Sequence, residues 1–448
     1  MERITVSLAP ADLRKEGAAF DLPIALGILA ATGCLKRAPL AGLVVLGELG
    51  LDGEVRAVRG VLPVALACRR EGVAGLLLPR GNGREAAVLD RLSVLPVQTL
   101  REAVEWLNGE RSLDPVAFDP AVLLSQPWDD EVDFAEVRSQ GHAKRALEVA
   151  AAGGHNILML GPPGAGKTML ARRLPTILPP LSLDEAIEVS TIWSVAGLLP
   201  PERGLVTMRP FRAPHHTGSE AGLIGGGSVP HPGEVSLAHL GVLFLDELPE
   251  FPQHVLDALR QPLEDGQVVV SRVAGAAAFP SRFQFVGAAN PCRRGCPTLE
   301  ACLCTPGERE RYLARLSRPL LDRIDLHLEI PAVPYAELAQ GWPAEPSQAI
   351  RARVLKARAF QGERFAKLGI RLNAQMTAKQ VRRFCPIPPE AQRLLALATT
   401  RLGLSARGHD RLLKVARTIA DLEGCDPITA EDLAEAIQYR GLDRWLAP

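Results

Sequence analysis

The sequence carries no excess of charge of either sign: 51 Lys and Arg stand against 51 Asp and Glu over 448 residues. A whole-molecule field that would draw the chain to a polyanion is thereby excluded, and any such surface has to be local. Long apolar runs are also missing. The stretch from Leu22 to Leu35 is free of charge, but it holds Pro23, Gly27 and Gly33 and stays short of the ~18 residues a membrane span requires. Met1-Glu-Arg-Ile-Thr opens with neither a basic segment nor an apolar one, so no secretion signal is expected and the cytoplasm is the expected compartment. Internal repeats and low-complexity tracts are not evident. What remains is a globular composition, 47% hydrophobic and 23% charged, with room for two or three domains. Eight cysteines in such a chain point to thiols or metal ligands rather than disulfides.

The stretch with the sharpest chemistry runs from Asn156 to Thr168, NILMLGPPGAGKT. An apolar run, Ile157 to Leu160, predicts a buried strand. It meets Gly161, Pro162, Pro163, Gly164, Ala165, Gly166, Lys167 and Thr168, after which a helix is expected over Met169 to Leu178, interrupted at Pro175. This is the phosphate-cradling pattern G-x-x-x-x-G-K-[ST]. Its glycines let backbone N–H groups converge on phosphate oxygens, and the helix N-terminus adds a positive dipole end. Lys167 is expected to reach the β- and γ-phosphates of ATP, and the Thr168 hydroxyl to ligate Mg²⁺.

Ahead of this loop, Arg3 to Ala9, Leu43 to Leu46, Leu76 to Pro79 and Ser93 to Pro96 read as strands. Leu22 to Thr32 and Val61 to Glu71 read as helices, giving an α/β or α+β layer over residues 1–110. The order from Lys15-Glu-Gly-Ala-Ala-Phe-Asp through GELGLDGEVRAVRGVLPVA to GLLLPRGN resembles the proteolytic domain of Lon and the related domain of RadA. A protease of that type needs a serine activated by a lysine. Here the serine position falls at Asp21 or its neighbours in Ala18-Ala19-Phe20-Asp21 and the lysine position near Pro63, so a non-catalytic domain is expected. Residues 111–133, within a Pro-, Gly- and Asp-rich stretch from Asn108 to Asp133, read as a linker.

Three further patterns follow the loop in residues 134–333. Gly241 to Leu245 predicts a buried strand ending in Asp246 and Glu247, at the end where ligands bind in open parallel sheets. Asp246 suits Mg²⁺, and Glu247 can orient or deprotonate a water. Phe283 to Ala289 predicts a strand ending in Asn290, which could position water near a γ-phosphate. Ser317-Arg318-Pro-Leu-Leu-Asp-Arg323-Ile-Asp325 places arginines where one could act on a neighbouring subunit's phosphate or pair with Asp322 or Asp325. In His215-His216 the imidazoles could ligate a metal, but no carboxylate or cysteine partner is expected nearby.

The order of these parts resembles the magnesium-chelatase-like branch of the AAA+ ATPases. The match is sharpest at RPFRAPHHT (Arg209 to Thr217), LIGGG (Leu223 to Gly227), PGEVSLAHLGVLFLDELPEF (Pro232 to Phe251) and LLDRIDLHLEIP (Leu320 to Pro331). With the Lon-like segment in front, the chain resembles the YifB/ComM family over nearly its whole length. The resemblance implies a P-loop AAA+ core, a parallel sheet with helices on both faces, followed by an all-α lid over residues 334–448 and preceded by an α+β Lon/S5-like domain. It implies that Lys167, Thr168, Asp246 and Glu247 are the Walker residues, Asn290 the first sensor and Arg323 the arginine finger. Arg407 becomes the second sensor, with Arg411 in reserve. Arg209 to Gly233 becomes an insertion near a central pore and Gln267 to Arg282 a hairpin. The family has a further strand-rich stretch before the equivalent of Arg3, which this sequence lacks.

The implied activity is Mg-ATP hydrolysis by a ring, a hexamer, that acts on DNA in branch migration or unwinding during transformation and recombination. A chelatase-type motor remodelling a protein partner is the alternative. An ATP-dependent protease is disfavoured by the missing Ser/Lys pair. Two features stand apart from the nucleotide motifs. Cys292, Cys296, Cys302 and Cys304 crowd into thirteen residues, and four thiolates suit tetrahedral Zn²⁺. From Arg351 to Arg417, 16 Lys and Arg face three acids, Glu363, Glu390 and Asp410, a net of +13 that could meet DNA phosphates or form a solvated helical face. Within it, Ser405 is the expected cap of a helix that buries Leu412, Val415, Ala416 and Ile419 and turns Arg407, Arg411 and Lys414 the other way. Thr429 and Asp432 are expected to cap a last helix.

Overall fold

The computed structural model describes residues 4–8, 17–35, 40, 42–125, 132–227, 229–272, 275–296, 302–332 and 344–443. Its centre is a five-stranded, all-parallel sheet. In spatial order the strands are Leu326–Glu329, Ile157–Leu160, Gln284–Ala289, Val242–Leu245 and Phe211–Arg212. The three middle strands are buried at every position, as expected for a parallel sheet covered on both faces. This is why they read in the sequence as unbroken apolar runs rather than as alternations. The sheet, the Gly141–Gly153 and Lys167–Ile177 helices and the helical C-terminal region share one hydrophobic cluster.

The C-terminal region is all helical over its described length: Ser347–Phe365, Ala378–Phe384, Pro389–Leu402, Ala406–Glu423 and Ala430–Gln438. Ser405 accepts from Gly408 N, and Thr429 forms a capping box with Asp432, as the sequence predicts. Leu412, Val415, Ala416 and Ile419 form the buried stripe. On the opposite face Arg407 is exposed, while Arg411 and Lys414 have partners within the chain. Arg411 reaches Asp325, and Lys414 donates to the Ala374 carbonyl at 2.9 Å.

The N-terminal part holds a three-stranded parallel sheet, Leu43–Val45, Gly75–Pro79 and Ser93–Val97, and a small antiparallel pair, Glu48–Leu49 with Val55–Arg56. Helices Asp21–Ala31 and Val61–Glu71 lie where the apolar spacing puts them. Asp21 starts the first and Pro63 sits in the second, so neither expected position carries a serine or a lysine. This part is fastened to the core by buried polar groups. Glu85 accepts from Leu62 N at 3.0 Å and from the Ser194 hydroxyl, and Ser194 belongs to the core helix Leu183–Ala196.

Several expectations need correction. Residues 4–8 of the expected Arg3 to Ala9 strand have no strand partner, and the rest of that segment lies outside the described residues. The expected linker carries the helix Pro120–Ser125, Val116 N bonds Val94 O at 3.0 Å, and Asp133 accepts from Ser347 N at 3.0 Å. Turn-rich composition hid these anchors because each is a contact distant in sequence. Pro175 does not interrupt the helix expected over Met169 to Leu178, which forms as a continuous Lys167–Ile177. It stands two residues from the C-terminus, so it weakens only the last turn.

Asp325 joins the helical region to the sheet. It is 2% exposed, bonds Arg411 at 2.5 Å, accepts from Asn156 N at 3.1 Å and lies 3.4 Å from His155 Nδ1. Burial pushes its carboxyl up, but Arg411 and His155 more than offset this and hold it far below the ordinary carboxylate range. A depressed folded-state pKa gives stability that is present above about pH 4 and lost as the pH falls further toward the folded value. Asp325→Asn should therefore cost roughly 3 kcal/mol at pH 7, toward the low end for a buried pair because Arg411 keeps some water, and should blunt acid unfolding below about pH 4. Urea unfolding followed by far-UV ellipticity measures this; a loss under about 1 kcal/mol would mean the pair is only a surface-grade contact.

Candidate nucleotide-binding site

The loop Gly161 to Thr168 leaves the C-terminal end of the Ile157–Leu160 strand and enters the helix Lys167–Ile177. Gly164 and Gly166 have φ of +77° and +84°, left-handed values that only glycine holds without strain. At Gly161 the limit is space: a Cβ would lie 2.2 Å from the Ile330 carbonyl oxygen. Pro162, Pro163 and Ala165 complete a turn in which Ala165 N bonds Pro162 O at 3.2 Å.

Side chains from the two neighbouring strands converge on this loop. Lys167 Nζ donates to Gly161 O at 2.7 Å, Pro162 O at 2.9 Å and Asn290 Oδ1 at 3.1 Å. Its ammonium is pulled below the usual lysine range by burial, with Asp246 and Glu247 opposing that shift. The Thr168 hydroxyl donates to Asp246 Oδ2 at 2.8 Å, and Asp246 Oδ1 accepts from Glu247 N at 2.9 Å. A hydroxyl beside a carboxylate is the hard oxygen donor set that Mg²⁺ prefers, and the glycine cradle with a lysine at its mouth suits a polyphosphate. The residues present thus fit both Mg²⁺ and ATP.

Glu247 stands in the left-handed region, φ 50° and ψ 45°, with its carboxylate half exposed. It faces His216. His216 Nδ1 lies 3.4 Å from Glu247 Oε2, stacks on His215 with ring centroids 4.1 Å apart and meets the Phe251 edge at 6.3 Å. This corrects the expectation that no carboxylate stands near the two histidines. The partner is more than thirty residues away in sequence and comes into contact only through the fold.

Gln140 is a second residue that the sequence reading passed over. The helix Gly141–Gly153 starts directly after Ser139 and Gln140, which hold left-handed φ of 61° and 56°. That strained entry points the Gln140 amide at the loop, where Nε2 donates to Ala165 O at 2.7 Å and Oε1 is buried with no partner. A polar residue before a helix-starting glycine was the only available signal.

Arg323 and Arg407 are not brought to this loop. Arg323 sits at the opposite end of the sheet, where Asn156 Nδ2 donates to Arg323 O at 3.0 Å ahead of the strand that the loop follows. Four strand residues separate the two ends, about 13 Å. Arg323 pairs with Glu264, whose carboxyl is held below its ordinary range first by that bond and further by the charges of Arg407 and Arg411. Arg323 thus holds Glu264 directly, and the charges of Arg407 and Arg411 act on the same carboxylate, on a face remote from the chain's own loop.

The basic residues elsewhere are largely committed. Arg209 is buried against the carbonyls of Pro179 and Leu240 and against Glu185; Arg212 bonds Glu234 at 2.6 and 2.7 Å. The hairpin expected within Gln267 to Arg282 forms as Gln267–Arg272 with Gly275–Pro280, and Val270 packs beside Gly225 of the neighbouring loop. The sulfurs of Cys292, Cys296, Cys302 and Cys304 all lie within 4.8 Å of one another.

Comparisons with known proteins agree with this geometry. The family described as magnesium chelatase, subunit ChlI, matches residues 133–338, its C-terminal counterpart 344–440 and a further ChlI subunit family 1–82. Competence protein ComM of Haemophilus influenzae is 46% identical over 99% of this chain and 87% of its own length. The chain belongs to the YifB/ComM family. YifB of Escherichia coli is 43% identical over 99% of this chain and 86% of its own. The magnesium-chelatase 38 kDa subunit of Acidiphilium rubrum is 29% identical over 45% of this chain and 52% of that protein. For a YifB/ComM protein the parallel sheet and glycine loop are those of an AAA+ P-loop core, and the family relation points to ATPase activity.

Because His216 faces Glu247, His216→Ala should lower ATP turnover by roughly tenfold, less than the 10²–10⁴ that a general base itself supplies, with KM for ATP little changed. His216→Gln should recover part of that loss. Steady-state phosphate release over a range of pH measures both; unchanged turnover in His216→Ala would remove the histidine from the site's function.

Proposed function

We propose that this protein is a Mg-ATP hydrolase whose active sites form between neighbouring copies in a ring, a hexamer, and that it uses ATP to move DNA. The observation that carries the first part is the separation of two half-sites. Lys167, Thr168, Asp246, Glu247 and Asn290 lie at one edge of the sheet, and Arg323 and Arg407 at the other. One copy cannot bring them together, whereas head-to-tail contact can.

In this reading Thr168 and Asp246 would hold Mg²⁺, which would supply positive charge to offset that of the transferred phosphate. Lys167 holds the β- and γ-phosphates through the amine now spread over Gly161, Pro162 and Asn290. Glu247 orients the attacking water and takes its proton, and Asn290 fixes the water's position. Arg323 of the next copy leaves Glu264 and stabilises charge on the leaving group, with Arg407 beside it. The N-terminal part acts as a scaffold, since its Asp21 and Pro63 replace the serine and lysine a protease needs.

For DNA, the support is the charge that the fold leaves outside. Of the cations from Arg351 to Arg417, at least seven have partners within the chain: Arg353, Arg358, Arg364, Arg371, Arg411, Lys414 and Arg417. Lys379, Arg382, Arg383, Arg393 and Arg401 remain exposed on the Ala378–Phe384 and Pro389–Leu402 helices. That stripe suits a phosphate backbone. ComM is named a competence protein, which fits DNA handling. The partial match to a magnesium-chelatase subunit favours a second reading, a motor that remodels a protein partner. Stimulation of turnover by DNA separates them.

Lys167→Ala and Arg323→Ala should each lose at least 10³-fold in turnover, and mixing the two should restore a substantial part, because each supplies the half-site the other lacks. No recovery on mixing would refute the shared site. Arg382→Ala with Arg383→Ala should lower the salt dependence of DNA binding by about two phosphate contacts in a log–log plot of affinity against salt. An unchanged slope would exclude that stripe as the DNA surface.

A further inference from the structure

The four cysteines lie where the site's asparagine strand ends. Gln284–Ala289 leads into Asn290, and Cys292 follows two residues later. Gly295 N bonds Cys292 O at 3.0 Å, and Cys296 N donates to Cys292 Sγ at 3.4 Å, so the first pair sits on a closed turn with an amide aimed at sulfur. Cys302 and Cys304 arrive from the other side, immediately before the helix Pro306–Leu313. All four thiols are free of disulfide bonds, two buried and two half-buried. Ideal tetrahedral zinc, with Zn–S near 2.3 Å, needs sulfurs about 3.8 Å apart, within the 4.8 Å limit that all six pairs meet.

The turn also touches the nucleotide loop. Gly295, at φ 68°, lies so close to Pro163 that a Cβ would come within 2.8 Å of the proline ring. Asn290 accepts from Lys167 Nζ at 3.1 Å. The turn that carries the first two sulfurs thus adjoins both Pro163 and Asn290.

We propose that Cys292, Cys296, Cys302 and Cys304 bind one structural Zn²⁺ that clamps Asn290 and Pro163 in place, so that the metal supports ATP turnover without touching the nucleotide. Four protein ligands leave no open position for catalysis, and an N–H···S bond is the outer contact expected of a metal thiolate. The metal site rests only on the cysteines; its effect on turnover rests on the nucleotide reading above.

The test begins with the full-length chain purified from zinc-containing medium without chelator. Elemental analysis should find about one zinc per chain. Cys302→Ser and Cys304→Ser should lose it, while Cys68→Ser and Cys385→Ser keep it. Cys304→His, which retains a zinc-binding nitrogen, should recover metal and thermal midpoint even if the serine variant folds poorly. Cobalt substitution should give the visible bands of a tetrahedral thiolate site. Wild type isolated with no stoichiometric metal, with iron instead, or with an intact mass lowered by disulfide formation would overturn the site. Chelation that removes zinc should lower ATP turnover while binding of a fluorescent nucleotide persists; unchanged turnover after zinc loss would overturn the clamp. Loss of nucleotide binding in Lys167→Ala with zinc retained would keep the two questions apart.

Discussion

The register of three parallel strands is the constraint on which the nucleotide site depends. Leu160 pairs with Ala289, and Leu245 with Gly287, so the residues that follow, Gly161, Asn290 and Asp246, emerge at one edge. No loop has to be bent into place for Thr168 to reach Asp246 or Lys167 to reach Asn290. A slip of one residue in any of the three would turn a fully buried strand over and move its terminal polar group away from the loop. Burial on both faces makes that slip costly, and the site inherits its precision from the core.

The same sheet explains why the other half of the chemistry sits elsewhere. Arg323 precedes the Leu326–Glu329 strand and therefore lies at the edge where strands begin. Asp325, itself nearly dry, fastens that edge to the helical region by binding Arg411, whose side chain keeps some water. Arg407, one turn earlier on the same helix, is carried to the same face. A hydrophobic cluster shared by sheet and helices then makes the two edges parts of one body.

Around the loop, positions are set by contacts that are long in sequence and short in space. Gln140 braces Ala165 from a strained turn, His216 faces Glu247 from the loop after the Phe211–Arg212 strand, and the cysteine turn presses on Pro163. Each joins a segment without regular structure to the rigid sheet. Such contacts matter because a loop rich in glycine has little intrinsic preference for one shape.

The chain alone determined the elements whose signal is local. Glycine spacing marked the loop, uninterrupted apolar runs marked the buried strands, and Ser405 and Thr429 marked helix starts, because each depends on neighbours within a few residues. Residue order alone also placed Asp246, Glu247 and Asn290 at strand ends. Only the tertiary structure decided which charges face water: sixteen cations look alike in sequence, and packing consumed at least seven of them. It likewise decided that His216 meets a carboxylate and that Val116 and Asp133, within the expected linker, bond to distant segments. Those outcomes depend on pairings across tens to hundreds of residues, and no local propensity encodes them.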